Sequence, residues 1–375
     1  MIKVLHFVSS LSINSGLMSV IMNYYRSIDR NNVQFGFAFF KNNDKGTYLS
    51  EIEEYGGKTY YTHIDKRLIK RSLENLFDSI DERYDILQIH ELYLAFIVEK
   101  IARKHGIKVV IGHAHTIKFS ENFWSGVRNQ ILCSGINRYC DYEVACSKEA
   151  GEVFFGKNIY SDKFFILNNA IDIKRYEFCP EERKRIRSKF SYADDDIVIG
   201  HVGRFSPAKN HSFIIEVFKA LCEQSDRYKL LLVGEGPDEE RIKNLVKAFN
   251  LEGLVKFMGR REDVNLLYSA MDIFLFPSLY EGLGYALIEA QANGLTCIAS
   301  ETIPLQAKIL ESYTIINLNE GPFYWAKKII DSRITREEHC SGILTDYGYN
   351  IAIEGNKLEE KYRNMMKGNK NAGER

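Results

Sequence analysis

The chain has 375 residues, 45% of them hydrophobic and 27% charged, with a formal net charge of zero and a sequence pI of about 7.1. This length exceeds what a single core fills, and it predicts two domains. The neutral charge balance excludes a general nucleic-acid binder, and no stretch approaches the roughly 20 apolar residues that a membrane-spanning helix needs.

Seven cysteines occur without a C-x-x-C spacing: Cys133, Cys140, Cys146, Cys179, Cys222, Cys297 and Cys340. Their odd number and their spacing predict free thiols in a cytoplasmic protein, rather than a disulfide framework or a zinc ribbon. The first residues, MIKVLHFVSS, predict a buried strand, because their apolar run is shorter than that of a signal peptide.

Short apolar runs alternate with longer amphipathic segments along the first half of the chain. The predicted strands are IKVLHFV, VQFGFAFF, KTYYT, DILQIH, KVVIGH, YEVAC and FFILNNA. The predicted helices include LMSVIMNYYRSI, LYLAFIVEKIARKH and SKEAGEVFFG. This alternation indicates an α/β fold in which helices cover a doubly wound parallel sheet.

The second half repeats the alternation after a polar stretch. Its predicted strands are DIVIGHVGRF, KLLLVGEG, LVKFMG, MDIFLFP, LTCIAS and TIIN, and its helices include HSFIIEVFKALCEQ and DEERIKNLVKAFN. Residues 172–196 carry no strand pattern, so we place the domain boundary there and predict domains of residues 1–172 and 173–350. A C-terminal helix is expected in residues 351–375, ending in a disordered tail, KGNKNAGER.

Two cations bracket one strand-to-helix loop in the second half. Arg204 and Lys209 follow the strand DIVIGHVGRF, and ligands of doubly wound sheets bind beyond the carboxyl ends of the strands. A guanidinium and an ammonium together suit a diphosphate. The loop lacks the second glycine and the Ser/Thr of a Walker A motif, and GEGPDE lacks the third glycine of a dinucleotide fingerprint.

Two carboxylates flank a glycine-rich turn in SLYEGLGYALIEAQANG, residues 278–294. Glu281 and Gly282–Gly284 form the turn, and a helix is predicted over Tyr285–Ala292 with Glu289 one turn inside it. The free N–H groups at the helix start favour an anion. The carboxylates would repel a phosphate but suit sugar hydroxyls, so the pattern predicts a nucleotide sugar with one carboxylate for each ring.

These motifs resemble those of glycosyltransferase family 4, whose members have the GT-B fold of two Rossmann-like domains facing each other across a cleft. The matching segments are HVGRFSPAKNH, LLLVGEGPDEERI, FMGRREDVNLLYSAMDIFLFPSLYEGLGYALIEAQANG, MNYYRSID and ACSKEAGEVFFG. The resemblance covers about nine-tenths of the chain and is greatest to bacterial transferases that build capsule or exopolysaccharide. It implies a retaining, metal-independent enzyme without a cofactor. The donor would be a nucleotide diphosphate sugar, by default a UDP-sugar, and the acceptor a glycan or a lipid-linked molecule.

The resemblance also implies roles for particular residues. The implied donor-binding residues are Gly16, Gly203, Arg204, Lys209, Gly259, Arg260, Glu281, Gly282, Leu283, Gly284 and Glu289. The implied catalytic residues are His115, Arg204, Lys209 and Glu281. In the family, the cation pair holds the diphosphate, the first glutamate binds the transferred sugar and the second binds the ribose. The final helix, here residues 351–366, crosses back to the first domain.

Two positions depart from the family pattern. The loop SINSGLMS has a single glycine where many relatives have two. The segment LNNAID has Ala170 where Asn-Gly is common, which leaves Asn169 and Asp172 without an assigned role.

The segment HAHT raises a metal hypothesis. His113 and His115 end a strand and point to one face by its two-residue period, which is also the spacing of a metal-binding pair. A metallohydrolase would need further ligands at comparable strand ends, such as His6 and His90. Because that hypothesis leaves the loops of the second half unexplained, we favour His115 as the functional histidine and predict no metal.

Membrane contact and two other functions stay open. The segment HIDKRLIKR holds a basic cluster of Lys66, Arg67, Lys70 and Arg71, which favours contact with the inner face of the cell membrane. The chain could instead be a catalytically silent partner of a transferase, or a GT-B sugar-nucleotide epimerase. Product analysis of a single sugar nucleotide separates these functions from sugar transfer.

Overall fold

The structure is a computed structural model that describes residues 1–13, 15–41, 46–65, 67–120 and 122–372, with side chains to residue 368. The chain forms two compact units. The first unit contains Met1–Ala170 and the segment from Ile351 onward, and the second contains Ile171–Asn350. Within the described residues, no helix is both long enough and apolar enough to cross a membrane.

Seven parallel strands form the sheet of the first unit. They are β1 (Ile2–Val8), β2 (Val33–Phe39), β3 (Thr59–Tyr61), β4 (Ile86–Ile89), β5 (Val109–Ala114), β6 (Tyr142–Ala145) and β7 (Phe164–Ile166). Their order across the sheet is β3-β2-β1-β4-β5-β6-β7. The central strands read as nearly continuous apolar runs because helices cover both faces of a parallel sheet.

The helices of the first unit fill the connections between these strands. They are α1 (Gly16–Ser27), α2 (Leu49–Glu54), α3 (Ile69–Asp78), α4 (Ala95–Lys104), α5 (Phe123–Cys133) and α6 (Lys148–Phe155), with 3-10 turns at Leu92–Leu94, Ile136–Arg138 and Gly156–Tyr160. The side chain of Ser15 caps α1 by accepting a hydrogen bond from Met18 N. The chain ends in a long helix, Ile351–Ala372, called the C-terminal helix below.

The C-terminal helix packs within the first unit. Ser27 Oγ donates to the carbonyl of Ile351 at 2.9 Å, and Tyr362 Oη donates to Gln88 Oε1 at 2.6 Å. The helix continues to Ala372, so residues 367–372 of the predicted disordered tail are helical. Gly368 does not end it, because one glycine costs a helix only about 1 kcal/mol.

The second unit repeats the architecture with six parallel strands. They are β8 (Ile197–Val202), β9 (Tyr228–Val233), β10 (Val255–Phe257), β11 (Ile273–Phe276), β12 (Thr296–Ser300) and β13 (Tyr313–Ile316), in the order β10-β9-β8-β11-β12-β13. Ile273 and Leu275 pack into one buried cluster, while Phe274 and Phe276 pack into another. Two cores on opposite faces define a doubly wound sheet, so the predicted fold class is confirmed for both units.

The remaining helices belong to the second unit. They are α7 (Ile173–Tyr176), α8 (Pro180–Lys189), α9 (His211–Cys222), α10 (Glu239–Ala248), α11 (Val264–Ala270), α12 (Tyr285–Ala292), α13 (Gly321–Asp331) and α14 (Cys340–Asp346). Short 3-10 turns lie at Pro207–Lys209, Leu305–Ala307 and Leu318–Glu320.

Helices α7 and α8 occupy the polar segment in which we placed the domain boundary. The chain leaves the first unit between Ala170 and Ile171 and returns to it after Asn350. On α8, Arg187 is 6% exposed and donates to Asp272 Oδ2 at 3.1 Å. A cation that is buried by pairing does not register in a hydrophobic pattern, which is why these residues look like a linker in the sequence.

Candidate functional site

Backbone hydrogen bonds join three loops at the carboxyl edge of the second sheet. Gly203 N donates to Val233 O at 2.9 Å, and Phe205 N donates to Glu235 O at 3.0 Å. Gly234 N donates to Gly259 O at 2.8 Å, which connects the loop after β9 to the loop after β10. The loop that carries Arg204 is therefore held by its neighbours.

The glycines of the GEG segment allow this contact. Gly234 has φ of 137°, and a Cβ there would lie 2.1 Å from Gly203 O. A Cβ on Gly236 would lie 2.3 Å from Phe205 O. A side chain at either glycine position would collide with the neighbouring backbone, so the segment requires glycine for packing.

We expect Gly236→Ala to destabilise the second unit by about 1–3 kcal/mol and to weaken nucleoside diphosphate binding at least tenfold, because the backbone around Phe205 must move. Thermal denaturation and calorimetric titration measure the two effects. Gly253→Ala is the matched control, since nothing lies within 4 Å of a Cβ at that position. Equal behaviour of the two variants would contradict this packing role.

Lys209 lies between two of the loops. It ends the 3-10 turn Pro207–Lys209, and its Nζ lies 2.5 Å from Glu281 Oε1. The same ammonium lies 4.9 Å from the centre of the Phe276 ring. Leu279 N donates to Ala208 O at 2.8 Å, so backbone contact also holds the turn after β11 against this loop. The structure thus brings two of the predicted catalytic residues into direct contact.

The two arginines predicted for this edge are exposed. Arg204 makes no side-chain hydrogen bond or ion pair with any described residue. The backbone N of Arg260 lies 3.4 Å from Glu235 Oε1, which ties the third loop to the second. Arg204 therefore presents a charged guanidinium to solvent from the loop that also carries Lys209.

The predicted helix after the glycine-rich turn is confirmed as α12. Gly284 precedes it with φ of 86°, a left-handed conformation that favours glycine. Leu283 packs its side chain into the core. Any contact of Leu283 with a ligand would therefore use its backbone N–H, in a turn where Gly282 carries no side chain.

Glu289 is buried, and tyrosines contact both of its carboxylate oxygens. Tyr176 Oη donates to Oε1 and Tyr268 Oη donates to Oε2, each at 2.7 Å. Burial raises the pKa of Glu289 above 4.5, while the tyrosine hydrogen bonds and Arg175 oppose this shift. The stability that the protonated carboxyl contributes is thus present below pH 4.5 and lost as the pH rises through the raised pKa.

The partners of Glu289 were not predictable from the sequence. Tyr176 lies on α7, in the segment treated as a linker, and Asn293 Nδ2 donates to its carbonyl at 2.7 Å. His201 was not predicted either. It is fully buried, and its Nδ1 contacts Leu275 O at 2.9 Å. A histidine inside an apolar strand run is the signal that could have identified it.

In the first unit, histidines form a hydrogen-bonded row at the ends of β1, β4 and β5. His6 Nδ1 lies 3.0 Å from His90 Nε2, and His90 Nδ1 lies 2.7 Å from His115 Nε2. The rings of His113 and His115 are 3.8 Å apart, so the prediction that they share a face is confirmed. In each of these hydrogen bonds either ring nitrogen can be the donor. The row therefore holds the His115 ring in place without fixing its tautomer.

The two histidines of HAHT differ in their surroundings. His113 is buried, and its Nδ1 accepts from Gln88 Nε2 at 2.7 Å, while Gln88 accepts from Tyr362 on the C-terminal helix. His115 keeps partial exposure. Burial lowers the pKa of His115 to about 3, so its imidazole is neutral at physiological pH. His115 is the one of the pair that an external ligand can reach.

Three of the histidines lie close enough together to be considered as metal ligands. Ring nitrogens of His90, His113 and His115 all lie within 4.8 Å of one another. The 2.7 Å contact between His90 and His115 is a hydrogen bond, whereas two zinc ligands at about 2.0–2.1 Å from the ion stand farther apart. A metal bound through both His90 Nδ1 and His115 Nε2 would have to break this bond, and the absence of a metal stays a prediction.

Gly16 is the first residue of α1 and is exposed. A Cβ at this position would have no neighbour within 4 Å among the described residues. Packing therefore does not demand glycine here, and its role as a ligand contact stays a prediction. Of the basic cluster, Arg67, Lys70 and Arg71 are exposed, whereas Lys66 lies outside the described residues.

The sequence of the chain is similar to those of known glycosyltransferases. Residues 182–319 match the family model described as Glycosyl transferases group 1. The chain is 30% identical over 361 residues to the putative glycosyltransferase EpsF of Bacillus subtilis (strain 168), and the alignment covers 92% of each chain. It is 22% identical over 381 residues, 97% of each chain, to the UDP-Gal:alpha-D-GlcNAc-diphosphoundecaprenol alpha-1,3-galactosyltransferase of Escherichia coli.

A solved structure extends the similarity to the whole fold. The crystal structure of Anabaena HepE in complex with UDP and glucose has a TM-score of 0.78 to this chain at 17% identity. The match covers 97% of this chain and 100% of that one. At this identity the likeness shows the fold alone.

Proposed function

The chain belongs to the group 1 glycosyltransferases and has the GT-B fold, and from this premise we propose that it transfers a sugar from a UDP-sugar to a glycan or lipid-linked acceptor in polysaccharide biosynthesis. The proposal includes retention of the anomeric configuration and a reaction in the cytoplasm. The donor is supported by two relatives, since the E. coli enzyme is named for UDP-Gal and the HepE structure holds UDP. All seven cysteines are free, as expected in a reducing compartment.

The contact between Lys209 and Glu281 carries this proposal. It sets an ammonium and a carboxylate 2.5 Å apart at the strand edge where doubly wound sheets bind ligands. A diphosphate would take the cation as its partner, and a sugar hydroxyl would donate to the carboxylate. Exposed Arg204 would add a second positive charge from the same loop.

The proposed chemistry is a substitution on one face of the sugar. The bond between the anomeric carbon and the donor phosphate oxygen breaks while the acceptor hydroxyl oxygen bonds to the same face of that carbon. The hydroxyl proton goes to the departing phosphate oxygen, so the second product is a nucleoside diphosphate. Arg204 and Lys209 would stabilise the charge that develops on this leaving group. His115 would contact the donor as a neutral imidazole.

Glu289 is the proposed ribose partner. Each of its oxygens accepts one tyrosine hydrogen bond, and a carboxylate oxygen has a further lone pair for a sugar hydroxyl. The two tyrosine hydroxyls would then hold the carboxylate in position and leave it free to accept a hydrogen bond from a ribose hydroxyl. Gly203, Gly259, Arg260 and Gly282–Gly284 would contribute backbone contacts to the donor, and Gly16 would do so from the first unit.

A thermal-shift screen of nucleoside diphosphates and their sugars tests the proposed donor. We expect UDP to stabilise the protein most, since a ligand at about 100 times its dissociation constant adds about 2.7 kcal/mol. The UDP-sugar that stabilises best is then incubated with acceptor candidates. Release of UDP with glycoside formation supports transfer, whereas an epimer of the sugar without release of UDP overturns it.

The role of Glu289 has its own test. We expect Glu289→Gln to weaken UDP binding about tenfold, because a charged acceptor for the ribose hydroxyls is lost. The matched control is the ligand: a uridine diphosphate lacking both ribose hydroxyls should bind the variant and the parent protein equally. If titration calorimetry finds that both ligands lose affinity to the same extent, Glu289 acts only through the tyrosines that surround it.

A further inference from the structure

Helix α5 exposes an apolar face. Four of its side chains are largely exposed: Phe123 (73%), Trp124 (78%), Val127 (40%) and Ile131 (69%). At about 100° per residue, these four side chains fall within one arc of about 100° on the helix. Asn129 and Cys133 lie on the opposite side and are buried. The hydrophobic stripe of α5 therefore points away from the core.

The inner side of α5 is firmly attached to the first unit. Asn129 Nδ2 donates to Phe119 O at 2.8 Å, and Cys133 packs into the hydrophobic core of the first unit. The helix is thus held with its apolar face outward, and no described part of the chain covers the four side chains. A fixed apolar face of this kind favours an external partner.

The charges around α5 narrow the kind of partner. The helix contains no acidic residue and one cation, exposed Arg128, whose guanidinium donates to Asn129 Oδ1 at 2.8 Å and keeps its charge in doing so. Lys118 precedes it and Arg138 follows it, and the single acid between residues 117 and 139, Glu121, lies outside the described residues. Cations beside an apolar face that includes tryptophan and phenylalanine are typical of helices that lie in the interface of an anionic bilayer.

We propose that the outward face of α5 docks onto an anionic lipid bilayer, with Phe123, Trp124 and Ile131 inserted between the headgroups and Arg128 against the lipid phosphates. This site does not include Arg67, Lys70 or Arg71 of the basic cluster. It does not depend on the donor or on the chemistry proposed above. Docking would hold the connection between His115 and α5 close to acceptors that are carried by lipid.

A second copy of the chain fits this face less well. From their exposed fractions, the four residues expose roughly 500 Å², which is below the roughly 800 Å² that each partner contributes to a standard interface. The bilayer accommodates both the small area and the positive charge.

The two tryptophans of the chain make the proposal directly measurable. Trp124 is exposed and Trp325 is fully buried in the second unit, so only Trp124 should respond to lipid. Vesicles of equal parts phosphatidylcholine and phosphatidylglycerol are added to the full-length protein. We expect the emission to shift to shorter wavelength and the protein to sediment with the vesicles. Both effects should be weaker with phosphatidylcholine alone.

Variants distinguish vesicle binding through the outward face of α5 from nonspecific binding by other exposed side chains. Trp124→Ser and Ile131→Ser should each weaken vesicle binding about tenfold, while Tyr160→Ser, which removes an equally exposed aromatic side chain (77%) of the same unit, should leave it unchanged. Donor binding and the thermal midpoint serve as checks of folding. Unchanged vesicle binding by the α5 variants overturns the proposal. So does a dimer in sedimentation equilibrium that Trp124→Ser dissociates.

Discussion

Replacing Lys209 with alanine is expected to lower the turnover number about 10²–10³-fold while the protein stays folded, because the departing diphosphate loses a charge partner. The variant also leaves the half-buried Glu281 carboxylate without its cation. The double variant Lys209→Ala/Glu281→Gln removes that unpaired charge. If it regains thermal stability but not activity, the effect on catalysis is separate from the effect on folding.

Lys219 offers a matched control for this experiment. Its ammonium pairs with Glu223 at 3.8 Å and lies 4.7 Å from the Phe249 ring, so it has the same kinds of partner as Lys209. It lies on the exposed surface of α9, away from the strand edge. Release of UDP measured for both variants should fall only for Lys209→Ala. Near-normal turnover by that variant would refute the assignment of the site.

The second large effect concerns stability. We expect Asp272→Ala to lower the free energy of unfolding of the second unit by about 3–5 kcal/mol, because it removes the carboxylate that forms the ion pair with buried Arg187. Asp272 also accepts from Arg183 at 2.5 Å and from Val198 N at 2.8 Å. One carboxylate thus ties α8 to β8, and its loss breaks several contacts at once.

Trp325 reports this unfolding selectively. It is buried in the second unit, so in a Trp124→Phe background its fluorescence follows that unit during urea denaturation. Asp195→Ala is the control, since Asp195 pairs with Arg227 at 3.3 Å in an exposed position, where an ion pair contributes little. A midpoint for Asp272→Ala equal to that of the control would mean that the buried arginine finds another partner.

The sheets were predictable from the sequence, for a physical reason. Strands of a parallel sheet are covered on both faces, so they appear as short apolar runs between turn residues, and MDIFLFP contains β11. Helix α12 was equally clear, since glycines before and after it mark its ends. In contrast, the orientation of α5 was not predictable, because Phe123, Val127 and Ile131 follow the spacing of an amphipathic helix, and that spacing is the same whether the apolar stripe faces the core or solvent.

The parts of the site that were missed depend on contacts distant in sequence. Tyr176 and Glu289 are 113 positions apart, and no local pattern relates them. The contact of Gly236 with Phe205 likewise joins separate loops, and the GEG segment alone indicates only an incomplete dinucleotide motif. Residues of one loop can be assigned from their spacing, whereas pairs that meet across loops need the fold.

The path of the chain through the two units bears on synthesis. The second unit is one continuous stretch, Ile171–Asn350, while the first consists of two stretches separated by it. During synthesis, the first unit cannot complete its fold until the C-terminal helix has been made, because that helix supplies Tyr362 as the partner of Gln88. The second unit, although its synthesis begins later, can therefore complete its fold before the first unit does. A nascent chain stopped at Asn350 should already bind nucleotide while its opening sheet stays sensitive to protease.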